Sequence, residues 1–194
     1  MVLYHYSVDS YQSGPALIND YKKQFRFAEP FLSALEKGES CFWCVFFSAM
    51  FYSRELCALG LRKHENYIKD AVEGIFEHIR RTEFPGRSVS RISCVYYCES
   101  KEEALRYLKD DCIDNGDFTT ERVKLLKVEV DGKTVFRYDQ TFFNEACDVM
   151  ENERDLQKAA SLAKRYFASE QSGEPLPEIL ADGENRILSE IPII

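Results

Sequence analysis

Arg91-Ile-Ser-Cys-Val-Tyr-Tyr-Cys98 runs directly into Glu99-Ser-Lys-Glu-Glu-Ala104. The first stretch is β-branched and aromatic and reads as a strand. The second sets Ser100 and Glu103 three residues apart, the spacing of a capping box, in which a hydroxyl and a carboxylate satisfy amides at a helix start. Ala104, Leu105, Leu108 and Cys112 give that helix an apolar stripe, and Asn115-Gly116-Asp117 breaks it. A strand passing without pause into a capped helix makes the fold a mixed one.

Working outward, Val2-Leu3-Tyr4-His5-Tyr6-Ser7 is short, aromatic and β-branched, and reads as an opening strand; Ser10 to Gly14 supplies turn chemistry. The character then changes. Residues 27–84 read as a helical insertion, with helices over 29–37, 40–59 and 65–82. Ile68, Val72, Ile75, Phe76 and Ile79 share one face of the third, and Pro85-Gly86 closes the block. Downstream, Val123 to Val130 alternates as a strand, and Asp131-Gly132 is expected to turn it into a hairpin partner, Thr134 to Tyr138. Helices over 142–150 and 153–168 follow, then a strand over 178–181 that Asp182-Gly183 is expected to turn back into 186–191 as a second hairpin. Strands at both ends and in the middle, separated by helices, predict one α+β domain over 1–194 with a mostly antiparallel sheet.

Composition removes several functions. The chain has 194 residues, with 25 basic and 33 acidic side chains and a net charge of −8. A general nucleic-acid binder needs an electropositive face, and the basic residues here are scattered. The longest apolar run, Cys41 to Tyr52, is about 12 residues, against the ~20 of a membrane helix. Seven cysteines, an odd number, and an opening without a basic-then-apolar leader predict a cytoplasmic protein with reduced thiols and no membrane partner.

Few motifs carry chemistry. Cys41-Phe-Trp-Cys44 has redox spacing, but the apolar run continues through it and it reads as core. No phosphate-binding glycine loop, calcium loop or zinc spacing is present, so no metal is expected. His5 stands out, as an imidazole in the middle of an aromatic strand. It is either a core histidine satisfied by a backbone carbonyl or a functional group needing partners from other strands. Tyr96 and Tyr97 are such partners, and strand alternation lets only one of them share a pocket with His5. Glu178 is another, a carboxylate opening an otherwise apolar strand.

His on the first strand, Tyr on a middle strand and Glu on a late strand, in that order, resembles the His-Tyr-Glu branch of the ADP-ribosyltransferase fold. Leu3-Tyr-His-Tyr-Ser7 is similar to that fold's first strand, and residues 91–104 to a strand-then-capped-helix element of small bacterial proteins of unknown function. Pro177-Glu-Ile-Leu-Ala-Asp-Gly183 resembles their Glu-bearing strand. The likeness covers 1–14, 87–110, 122–130 and 175–191. It implies a split antiparallel sheet, with the helical insertion after the first strand, and NAD as substrate. His5 would bind a ribose, and Tyr97 or Tyr96 would stack on nicotinamide. Glu178 would stabilise the oxocarbenium-like transition state as nicotinamide leaves. Arg91, with Arg87 as the alternative, would meet the pyrophosphate. The acceptor would be a protein or a small molecule. Toxin-like members carry a Glu or Gln two residues before the catalytic Glu; Leu176 stands there, so the likeness does not extend to protein-arginine modification. A catalytically inactive binding module of the same fold is the other expectation.

Overall fold

The computed structural model describes residues 1–8, 16–17, 33–34, 37–39, 44, 53–54, 57–58, 66–92, 94–114, 123–182 and 185–193. The fold is α+β. The chain forms two compact units, one of Met1–Asn19, Cys94–Arg137 and Glu178–Ile194, the other of Asp20–Ser93 and Tyr138–Pro177. The Ser10–Gly14 turn, most of the helices expected over 29–37 and 40–59, Cys41 and the break at 115–117 lie outside the described residues. Those that are described, at 33–34, 44, 53–54 and 57–58, are helical.

In the first unit, β1 (Val2–Val8) pairs antiparallel with β4 (Val123–Glu129) over their whole length, Val2 facing Glu129 and Val8 facing Val123. The other edge of β4 takes β7 (Asn185–Ile191), with an irregularity between Lys127 and Val128. The two-residue β2 (Ala16–Leu17) ends this sheet, whose order is β1-β4-β7-β2. A second sheet has the order β3-β6-β5, from Val95–Tyr97, Pro177–Ala181 and Val135–Asp139.

The sheets meet at one antiparallel bridge between Tyr4 and Cys98, closed by Tyr4 N–H to Cys98 O at 3.0 Å and Cys98 N–H to Tyr4 O at 2.8 Å. Leu3, Val95, Tyr97, Leu126, Val128, Val130, Ile179 and Ala181 form the core on one face. On the other face Tyr4 and Tyr6 pack with Cys98, Leu125 and the helix Lys101–Leu108.

Neither Asp-Gly pair closes a hairpin. Strand β4 spends one edge on β1 and the other on β7, so none remains for β5. Gly132–Thr134 is instead a 3₁₀ turn, with the Asp131 carboxylate accepting from Lys133 N–H at 3.0 Å, and it carries the chain into the other sheet. At the end of β6, Asp182 N–H bonds Thr134 O at 3.3 Å, and the chain re-enters the first sheet at β7. The strand expected over 91–98 shortens to Val95–Tyr97.

The described residues of the second unit are mostly helical. We number its helices with Tyr67–Glu83 as α1, Lys101–Leu108 of the first unit as α2, Thr141–Asn152 as α3 and Leu156–Phe167 as α4. Phe76 of α1 lies edge-on to Phe143 of α3 and Tyr166 of α4, at 5.1 and 5.3 Å between centroids. Such aromatic edges add to the burial that holds the helices together. None of the described helices is long and apolar enough to cross a membrane.

Candidate functional site

Strand alternation decides what the split between β1 and β3 contains. Leu3, His5 and Ser7 turn to the core side of β1 and are buried, while Tyr4 and Tyr6 turn to the side of α2. His5 faces Leu126 across the β1–β4 pair. Its Nδ1 lies 2.8 Å from Tyr96 O. A carbonyl can only accept, so Nδ1 carries the proton and Nε2 is left as an acceptor on a neutral ring. Burial pushes the imidazole below the usual histidine range, and the carbonyl bond offsets part of that shift.

Of the two tyrosines, Tyr97 shares the His5 side. Its ring centroid lies 5.8 Å from that of His5, with the planes tilted by 59°. Tyr96 contributes its backbone oxygen, and its half-buried side chain points to the other face. Of the two readings the sequence leaves open for His5, the backbone-carbonyl partner is present, and the acceptor is the residue beside Tyr97.

Glu178 is also buried, at 6% exposure. In β6, Ile179 is the register partner of Tyr97, Leu180 of Tyr96 and Ala181 of Val95. Ile179 and Ala181 pack in the core with Tyr97. The period of two thus turns Glu178 and Leu180 to the opposite face of the sheet from Tyr97. The structure brings His5 and Tyr97 together and sets Glu178 out of phase with them.

Arg91 belongs to the second unit and sits in a turn before β3. Its Nε and Nη2 meet the Glu73 carboxylate at 3.0 and 3.1 Å, and Nη1 donates to Tyr166 Oη at 2.9 Å. The guanidinium lies 3.9 Å from the Phe143 ring centre. The fork suited to a pyrophosphate is occupied by a carboxylate. Nothing in the sequence around Glu73 distinguishes it from the solvated charges on α1, so this pairing was not legible. The alternative, Arg87, is exposed, in a turn closed by its N–H on Phe84 O at 3.2 Å.

The second unit also carries a half-open cavity of about 390 Å³ between the start of α1 and one stripe of α3, lined by Asn66, Tyr67, Lys69, Gln140, Asn144 and Cys147. Burial, reinforced by the Glu73 carboxylate, pushes the Cys147 thiol up to about 12. It is a neutral thiol at pH 7 and no nucleophile. Among the described residues no three His, Cys, Asp or Glu side chains gather as a metal site.

No curated protein matches the sequence. A family model described as a protein of unknown function (DUF2441) matches residues 31–192, which takes in the capped helix and Glu178 but begins after His5. Because the match spans most of the chain, the chain belongs to the DUF2441 family.

Proposed function

We propose that this chain is an ADP-ribosyltransferase-like protein that binds NAD at the split between β1 and β3. The supporting observation is the strand order. Read through the Tyr4–Cys98 bridge, the sheets run β5-β6-β3-β1-β4-β7-β2, an antiparallel arrangement divided between β3 and β1, with His5 and Tyr97 facing each other at the division. In this reading the His5 Nε2 accepts from a ribose hydroxyl, and the Tyr97 ring offers the face on which a nicotinamide stacks. Opening the glycosidic bond also needs a carboxylate at the cationic ribose, and the candidate for it, Glu178, stands on the face of β6 opposite Tyr97. The acceptor is a protein or small molecule with a nucleophilic group.

A second reading, a module of the same fold that binds without transferring, is favoured by the phase of Glu178 relative to Tyr97.

Calorimetric titration with NAD, alongside a nicotinamide-release assay, tests both. Ligand at 100 times its dissociation constant should stabilise the protein by about 2.7 kcal/mol. Release that is lost in Glu178→Gln with binding retained supports the enzyme. Binding with no release by the wild type supports the module. No binding at all removes both.

A further inference from the structure

Strand β1 is held unequally on its two sides. Toward β4 it is paired from Val2 to Val8. Toward β3 it has the single Tyr4–Cys98 bridge. Continuing that antiparallel register would set His5 opposite Tyr97 and Tyr6 opposite Tyr96. In such a ladder the closely bonded pairs alternate, so the next backbone bonds would fall between Tyr6 and Tyr96. The strands part before that point, and the Tyr96 carbonyl is taken by the His5 ring at 2.8 Å.

The choice of side chain is informative. His5 faces Leu126 and lies beside Tyr97, on the core side of β1. An apolar residue would fill such a place without the cost of desolvating an imidazole. What the imidazole adds is a donor rigid and long enough to reach across the gap.

We propose that His5 is a latch on the split. Its Nδ1–H bond to Tyr96 O holds β1 and β3 together beyond their one backbone bridge, and the split opens to admit a ligand when that bond breaks. The identity of the ligand rests on the NAD reading above; the latch does not.

Amide hydrogen exchange on the full chain, without ligand, tests it in the wild type, His5→Phe and His5→Asn. Phenylalanine keeps the ring and loses the donor, while the asparagine Nδ2–H takes the place of Nδ1–H. In His5→Phe the Tyr4 and Cys98 amides should exchange about tenfold faster, as expected for the loss of one hydrogen bond across the split. The β4 amides should keep their protection, and His5→Asn should stay close to the wild type. Unchanged exchange at Tyr4 and Cys98 in His5→Phe, or acceleration shared equally by β4, overturns the latch. If His5→Phe does not fold, His5→Asn decides: protection retained at the two bridge amides supports the latch, and protection lost overturns it. Altered exchange with no NAD binding would leave the latch standing and remove the NAD reading.

Discussion

Asp139 shows how much one carboxylate organises. It is fully buried, and its Oδ1 accepts from Thr141 N–H at 3.0 Å and Leu176 N–H at 2.9 Å, while Oδ2 accepts from Ser172 N–H at 2.7 Å. Burial alone would push this carboxyl up. The hydrogen bonds from Ser172, Leu176 and Thr141 outweigh it and hold the carboxyl at about 2 instead of 3.8. A depressed value stabilises the fold fully above pH 3.8, and that contribution drains away as pH falls toward 2. The shift corresponds to about 2 kcal/mol. Asp139→Asn should therefore lose about 2 kcal/mol in urea unfolding at pH 7, and its deficit should shrink between pH 4 and pH 2. A deficit constant across that window would mean the charge is not the cause. His5 changes stability with pH in the same direction, over a higher window. Its folded-state value is lowered, so the unfolded chain takes up a proton first as pH falls below about 6.5, and stability falls with it. Unfolding measured from pH 7.5 to pH 5 should show this slope in the wild type and a shallower one in His5→Asn; equal slopes would contradict it.

At the scale of elements, the helix starts are where sequence and structure agree most closely. Ser100 Oγ accepts from Glu103 N–H at 3.1 Å, while the Glu103 carboxylate takes Glu99 N–H at 3.0 Å, one residue earlier than the usual box. Ser100→Ala should cost about 1 kcal/mol in chemical unfolding and deprotect the Glu103 amide. A loss below a few tenths would show that the Glu103 bond alone fixes the start. Caps and apolar stripes are local, so α1 to α4 could be read within a few residues of their ends. The partners of strands are not local. Asp131-Gly132 announces a turn in any context, but whether β5 lies beside β4 depends on β7, more than fifty residues away, having already taken that edge. The same limit applies to the site. That His5 needed either a carbonyl or partners from other strands, and that only one tyrosine would share its side, followed from chemistry and period. The phase of Glu178 depended on the register of β3 with β6, and the loss of the Arg91 fork depended on Glu73 of α1, eighteen residues earlier.

For the whole molecule, connectivity matters as much as packing. Neither unit is a continuous stretch of chain: the first is built from three segments and the second from two. The segment Tyr138–Pro177, which supplies α3 and α4, leaves from β5 and returns at β6, and these strands are neighbours in one sheet. Phe76 has no exposure and joins α1 to α3 and α4 through Phe143 and Tyr166. Phe76→Ala should remove about 3–5 kcal/mol through lost burial and the cavity it leaves. If losing α3 and α4 releases the ends of β5 and β6, the loss will not stay within the helices. The Ile79 amide of α1 and the Val128 amide of β4 should then lose the same free energy of opening in native-state hydrogen exchange. A loss confined to Ile79 would show that the two units open independently. Under the proposed NAD reading, saturating NAD should raise protection at both amides if they share one opening event, and at Val128 alone if they do not.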